Sequence, residues 1–510
     1  MGIELNDDKN LKSKVIENSF WSLGAISISK IGGLVFTIIL TRALLPKGYG
    51  LYSLVLSLAM IFYTFSDFGI NKALIRYISL ALNKEKNKTS SYHFYLLRIK
   101  FVLTILCSSV LVALAYPLSH LVFRDSSLFV PFLIASAYIF VSSFEGFYTN
   151  LFYATERVKY INIKESIGQL IKIILTLFLV YFLASAYHII GIFLVLTFTS
   201  IVLLLFNLYN LRRLYPDIFK RSQEKIDKKR VVRFVKYSII ASISAILFSY
   251  LDSVILGLFL EPEYVGYYRA AISLIFGISG ILAFPNLVLL PLFTKLQKER
   301  VDSSFQKAFH YIAVITLPAA FGLLIFGDYF IKAFYGPAYL PSILALYLLT
   351  PILFINVFIG LFFSLFSAED RPDLSAKTIL LISSVNIVLD LVFIKLALLL
   401  FKDPIWATAG VAFATSLSWF FYFMSSIYFT KKELHIEISI KSLLKPLVAS
   451  IIMGALVYYT RLIVQKESAL FIGFFIIEGI VIYFAALFLF RGLRKKDISV
   501  FYHLLKKKFY

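Results

Sequence analysis

Apolar residues in this chain run in long blocks, broken by short polar stretches that carry Lys, Arg, Pro and Gly. The blocks match the ~20 residues that a helix needs to cross the hydrocarbon of a bilayer. Inside lipid every backbone polar group must be paired within the protein, so only helices or closed barrels can span. The blocks are too long and too uniformly apolar for alternating barrel strands, and they predict an all-α polytopic membrane protein. Fourteen windows are long enough: 17–44, 51–80, 92–116, 128–153, 160–184, 187–211, 231–260, 265–294, 305–327, 339–367, 374–400, 405–430, 441–465 and 468–491. An even number places both termini on one side. The first window follows a mostly polar segment and is too long for a signal-peptide core, so it is expected to stay as a membrane helix.

Composition agrees: 60% of residues are hydrophobic and 16% charged, where a soluble domain is nearer half and a quarter. The net charge of +22 alone would suit a nucleic-acid binder. Its distribution excludes that reading, because the basic residues concentrate in the terminus-side connections and leave the other side nearly bare. That is the positive-inside pattern of a multi-pass cell-membrane protein with both termini in the cytoplasm. The single cysteine, Cys107, rules out a disulfide framework or a Cys-based metal site. No HExxH, GxSxG or Walker sequence occurs, and the largest basic loop, 211–234, has no Gly-rich phosphate cradle. No catalytic residue is nominated, and nothing in the chain argues for an enzyme.

The chain repeats itself. Residues 40–58 align without gaps on 256–274, pairing Leu40 with Leu256, Pro46 with Pro262, Gly50 with Gly266, Tyr52 with Tyr268 and Ser57 with Ser273, an offset of 216. A fainter echo falls between 153–160 and 366–373, where Ala154 and Arg157 answer Ala368 and Arg371 at an offset of 214. Such an offset carries six windows. Six is even, so the copies enter the membrane from the same side, as parallel repeats about an axis along the membrane normal. The expected organisation is an N-lobe (1–220), a C-lobe (221–435), a central cleft, and two extra helices with a basic tail (436–510). Repeated halves around a cleft are the usual frame for alternating access.

The stretches "RALLPKGYGLY" (42–52), "FSDFGINKALIRYIS" (65–79) and "LFSAEDRPDLSAKTILLISSVNIVLDLVFI" (365–394), in a six-plus-six-plus-two arrangement, resemble polysaccharide exporters. More narrowly, they resemble the lipid-linked oligosaccharide flippases, of O-antigen type, in the multidrug/oligosaccharidyl-lipid/polysaccharide superfamily. The resemblance implies a substrate, a glycan on a polyprenyl phosphate or pyrophosphate turned from the cytoplasmic to the outer leaflet. It also implies membrane lipids as partners, and glycan polymerase or assembly enzymes as further candidates. It implies no cofactor beyond coupling to Na+ or H+. Two alternatives stay open: a cation-coupled multidrug exporter of the same superfamily, and a non-transporting scaffold for glycan assembly.

Lys30 lies twelve residues before Arg42, about 18 Å along a straight helix, and a charge at such depth costs at least ~2.5–3.5 kcal/mol unless it finds a cavity or a partner. "SKIGG" (29–33) is similar to a basic-then-glycine stretch on the first helix of lipid-linked peptidoglycan precursor flippases, where it faces a cationic cavity. Pairing with an acid on a neighbouring helix is the other reading. Arg269 follows a Tyr-Tyr pair, as an arginine does in those flippases, and Asp252 is its candidate ion-pair partner. Lys72 and Arg76, four residues apart, share a helix face and either snorkel to headgroups or line the cavity mouth; Lys172 has the same ambiguity. Arg42 reads as an edge anchor with room for cavity exposure. Among acids, Asp67, Glu145, Asp252, Asp390 and Glu478 fall inside windows. Asp252, Glu145, Asp67 and Asp390 are the candidates for ion coupling or gating, each read also as a helix-to-helix tie.

Overall fold

In the computed structural model the described backbone comprises residues 2–220, 222, 224–286, 289, 293, 294, 298–464 and 468–492. Side chains are described from Ser29 onward within that set, except at 237, 238, 240–243, 245, 298, 299 and 469. Among these residues there are helices and no strands. The helices are α1 (Gly2–Asp67), α2 (Ile70–Lys84), α3 (Thr89–Pro117), α4 (Phe129–Ala154), α5 (Val158–Phe182), α6 (His188–Leu214) and α7 (Lys228–Phe259). They continue as α8 (Pro262–Leu282), α9 (Lys298–Phe334), α10 (Ile343–Ala368), α11 (Pro372–Leu400), α12 (Ile405–Leu434), α13 (Lys441–Val464) and α14 (Ala469–Leu489).

Each of the fourteen windows carries helix among the described residues, with one redistribution; α8 ends at Leu282, and residues 287, 288 and 290–292 of the eighth window and 465 of the thirteenth lie outside the described residues. α1 holds the first window and most of the second, because the chain turns at Leu45 (φ 56°, ψ 174°) and the helix restarts at Pro46. Proline bars the residue before it from helical backbone, and its own missing N–H is harmless in a first turn. The second span is then interrupted at Phe68 (φ 41°) and Gly69 (φ 77°) before α2 completes it, a break that hydropathy does not register.

Helices α1–α6 form one lobe: α1 packs on α3, α4 and α5, and α4 on α6. Helices α7–α12 form the other: α7 packs on α11, α11 on α12, and α10 on α9 and α12. The lobes meet where α1 lies against α8 and α7. α13 and α14 pair with each other and dock on α9, fastened where Arg461 holds Asp328 at 2.6 Å.

Both sequence echoes are structural. The stronger one places its copies against each other: a Cβ on Gly50 would overlap the Pro262 carbonyl, and a Cβ on Gly266 would overlap the Pro46 carbonyl. Only glycine at both positions lets the two helix starts touch. The fainter echo is a shared turn. Glu156 (φ 56°) and Asp370 (φ 54°) both adopt left-handed backbone, and the following N–H groups, of Arg157 and Arg371, donate to Phe152 and Phe366 at 2.8 Å each. Each arginine then pins the end of its lobe's sixth helix, Arg157 through the Tyr215 hydroxyl at 3.2 Å and Arg371 through Glu433 at 3.1 Å.

Candidate substrate and ion sites

The lobes are sealed on the face that carries the Pro46 and Pro262 turns. Beside the glycine contact, Tyr49 reaches Ser273 at 3.4 Å, and the Tyr339 hydroxyl donates to the Thr41 carbonyl at 3.1 Å. Tyr49, Tyr267 and Tyr335 all pack their rings on Tyr339. Arg42 belongs to this seal, since its guanidinium donates to the Phe334 and Ala333 carbonyls and caps the C-terminal end of α9, where carbonyls lack helical partners. On the opposite, basic face the Tyr77 hydroxyl donates to the Arg230 carbonyl at 3.0 Å, and Arg76 stacks 4.7 Å over the Phe234 ring. Lys72 is exposed one turn away.

Lys30 and Arg269 lie between these two closures, on the seam between lobes. Lys30, on α1, is exposed, and its methylenes cross Gly280 of α8 at 3.0–3.4 Å from where a Cβ would stand. Among the described residues it forms no ion pair. Arg269, half-buried on α8, sits 5.3 Å over the Tyr250 ring and makes one long bond, 3.5 Å, to the Ser249 carbonyl. Its buried Nε finds no partner among the described residues. Asp252 does not pair with it: the carboxylate accepts from the Tyr268 hydroxyl at 2.5 Å and from the Thr415 hydroxyl at 2.9 Å instead. Eleven residues separate Arg269 from Gly280, so the two cations stand about 16 Å apart along α8.

The other intramembrane lysines behave differently. Lys100, fully buried, holds Asp67 at 3.0 Å. Lys164, 5% exposed, holds Glu145 at 2.7 Å and Glu165 at 2.8 Å, with Thr149 and Asn207 completing the network. Asp67 and Glu145 are thus ties between helices. Neither lysine stands out in the sequence, because each lies near the charged end of a window where a long side chain would reach headgroups. Glu478 is bound by Thr460 at 3.1 Å, joining α13 to α14. Lys172 rests 5.6 Å over the Phe36 ring.

A second polar cluster lies inside the C-lobe. Asp252 of α7 and Asp390 of α11, both buried, face each other. Asn386, one turn before Asp390, donates to it at 3.3 Å, and Thr415 of α12 bridges to Asp252. Each carboxylate keeps one buried oxygen, Asp252 Oδ1 and Asp390 Oδ2, without a donor among the described residues. Two carboxylates cannot both stay charged in a dry interior without compensation. With the Asn386 amide N–H and the Thr415 hydroxyl both donating to it, the facing carboxylate pair suits a shared proton, and its two free oxygens suit a hard cation. Spacing could have suggested Asn386 with Asp390, but not Thr415, which is brought in from another helix.

The fourteen helices among the described residues, arranged as two six-helix lobes of parallel repeats plus a pair docked on the second, define a membrane protein of the transporter class. The chain matches the profile of the family described as polysaccharide biosynthesis protein over residues 15–297 and that of lipid II flippase MurJ over 166–479, each more than half of its length. It belongs to the polysaccharide and lipid-linked oligosaccharide flippases of the multidrug/oligosaccharidyl-lipid/polysaccharide superfamily. An uncharacterized membrane protein of Methanocaldococcus jannaschii is 21% identical over 83% of this chain and 85% of that protein. A probable low-salt glycan biosynthesis flippase, Agl15 of Haloferax volcanii, is 23% identical over 52% of this chain and 56% of its own. Among solved structures, lipid II flippase MurJ in an inward closed conformation superposes with a TM-score of 0.73 at 18% identity, covering 92% of this chain and 98% of that one. The Vibrio cholerae MATE transporter VcmN follows the same fold at 0.60 and 13% identity, over 83% of this chain and 99% of its own.

Proposed function

We propose that this protein carries a polyprenyl-phosphate- or pyrophosphate-linked oligosaccharide from the cytoplasmic leaflet to the outer leaflet by alternating access of its two lobes. The observation that carries the reading is the contrast among its membrane cations. Lys100 and Lys164 are paired with acids inside the N-lobe, whereas Lys30 and Arg269 stand on the inter-lobe seam without an acidic partner. An unpaired charge at that depth is retained only at a cost, and a phosphate or pyrophosphate offsets it with charge-assisted hydrogen bonds. The glycan would sit in the seam as the lobes part, and the polyprenyl tail would remain in lipid. The relatives named for glycan and lipid II flipping support this substrate class. The basic face is then cytoplasmic, in keeping with the positive-inside distribution.

The C-lobe cluster supplies the coupling. Asp252, Asn386, Asp390 and Thr415 would hold Na+ or a proton, and a ligand shifts lobe position only as far as it binds one arrangement better than the other. A first test reconstitutes the full chain in proteoliposomes and follows a labelled polyprenyl-pyrophosphate oligosaccharide in wild type, Lys30→Ala and Arg269→Ala, with folding checked in each. The reading expects translocation by the wild type and its loss in both variants. Export of small organic cations in place of the glycolipid, insensitive to Lys30, would support a multidrug exporter instead.

A further inference from the structure

The tyrosine hydroxyls fall into two groups. At the closures and inside the lobes they donate to protein acceptors: Tyr77 to the Arg230 carbonyl, Tyr339 to the Thr41 carbonyl, Tyr268 to Asp252 and Tyr483 to the Val314 carbonyl. A tyrosine taken out of water behaves this way because its ring is apolar while its O–H needs a partner. Tyr63 of α1, Tyr138 of α4 and Tyr250 of α7 do not. All three are half-buried, and none makes a hydrogen bond among the described residues. Their hydroxyls are not walled in either, unlike that of Tyr335, which is buried without a partner.

Helix geometry sets their depth. Pro262, Phe259 and Phe129 stand at the sealed face on α8, α7 and α4, so Arg269, Tyr250 and Tyr138 lie about 10, 14 and 14 Å below it. Tyr138 comes up beside Tyr250, one ring from each lobe, with Arg269 stacked 5.3 Å over Tyr250. Counted from Pro46, Tyr63 lies about 25 Å down, and Gly280, which Lys30 crosses, lies about 27 Å from Pro262. The Tyr63 hydroxyl rests on Gly146 of α4, where a Cβ would overlap it. Each unpaired cation of the seam therefore has a tyrosine at its own depth. Asp67 and Glu145, which approach Tyr63, are already held by Lys100 and Lys164.

The chemistry of these side chains selects a ligand. A pyranose ring presents C–H faces and hydroxyl edges, and tyrosine answers with an aromatic face and a hydroxyl that both donates and accepts. A lipid tail would leave the hydroxyls unused. An organic cation, which the rings would also attract, is repelled by Arg269. We propose that Tyr138 and Tyr250 stack on the two faces of the sugar joined to the phosphate held by Arg269, and that Tyr63 bonds a hydroxyl further along the glycan. The three tyrosines then let the protein tell a sugar-bearing lipid from the bare carrier lipid. This assignment rests on the glycolipid-carrier reading above.

The test uses the purified full chain and two probes, a polyprenyl pyrophosphate carrying a β-linked glucose trisaccharide and the same lipid without sugar, with affinities read by native mass spectrometry. Wild type is expected to bind the sugar-bearing lipid more tightly. Tyr138→Ala, which removes a ring, should weaken that lipid about 2- to 12-fold. Tyr138→Phe and Tyr63→Phe, which keep the ring and are expected to fold, should each weaken it by a similar factor through one lost hydrogen bond. All three variants should bind the bare lipid as wild type does, whereas Arg269→Gln should weaken both lipids. A wild type that binds neither lipid overturns the carrier reading itself. A wild type that binds both lipids equally, or tyrosine variants that lose both in the same proportion or neither, overturns the tyrosine assignment and leaves the carrier reading standing.

Discussion

The two lobes share a scaffold but fill the same place with opposite charge. At the offset of the first echo, Asp252 of α7 corresponds to Phe36 of α1; at that of the second, Asn386 and Asp390 of α11 correspond to Lys172 and Thr176 of α5. In the C-lobe these positions bring two carboxylates together with an amide and a hydroxyl. In the N-lobe they put an ammonium on an aromatic face, 5.6 Å from the Phe36 ring, an arrangement in which the ring's negative face attracts the charge. One lobe places an ammonium at this position, and the other two carboxylates. By contrast, the Pro46–Gly50 and Pro262–Gly266 starts are used identically, each packing on the other. The two copies therefore share the contact that joins the lobes and differ in their polar interiors.

The sharpest way to break this contrast is at the N-lobe's own ion pair. Lys100→Ala leaves Asp67, 15% exposed, without its cation, and a stability loss of up to about 3–5 kcal/mol is expected, read as thermal unfolding in detergent. A loss below ~1 kcal/mol would mean that water reaches Asp67 and that the N-lobe interior is not dry. Next come the symmetric glycines. Gly50→Ala and Gly266→Ala should each cost about 1–3 kcal/mol by forcing the facing backbone apart, and the two values should agree within ~0.5 kcal/mol. A one-sided effect would show that the contact is not a shared pivot. Asp390→Asn is expected to weaken the dependence of transport on Na+ or on pH by about 5- to 150-fold, with folding retained because the amide keeps the shape. Lys172→Gln should move that same dependence by less than about tenfold, under ~1.4 kcal/mol. Were Lys172→Gln to abolish the dependence while Asp390→Asn left it intact, the roles of the two lobes would be exchanged.

Much of this architecture is legible in the sequence. Apolar run length places the helices, and the Pro46/Pro262 and Arg157/Arg371 echoes reveal the repeat, because turns between helices restrict residue choice tightly. The break at Phe68 and Gly69 is not legible: both flanks are apolar, and hydropathy does not see backbone angles. The site is legible only in part. Lys30 stands out because it is isolated deep within an apolar block, whereas Asp252 and Asp390 fall inside windows together with Asp67, Glu145 and Glu478, and no spacing separates them from those. Lys100 and Lys164 do not stand out, since a lysine near the end of a block looks like one that reaches headgroups. Their partners lie 33 and 19 residues away on other helices, a relation that packing alone determines. Arg42 is similarly underdetermined: nothing local to it announces that the end of α9 lies overhead.

The central claim is that unpaired cations on the seam bind the substrate while paired carboxylates in the C-lobe bind the driving ion. Its most direct test is translocation of a labelled polyprenyl-pyrophosphate oligosaccharide into proteoliposomes with and without an imposed Na+ or H+ gradient, comparing wild type, Lys30→Ala and Asp390→Asn. The account predicts gradient-stimulated transport by the wild type, none by Lys30→Ala under either condition, and slow transport by Asp390→Asn that the gradient no longer accelerates. Gradient-stimulated transport by Lys30→Ala at the wild-type rate would contradict it.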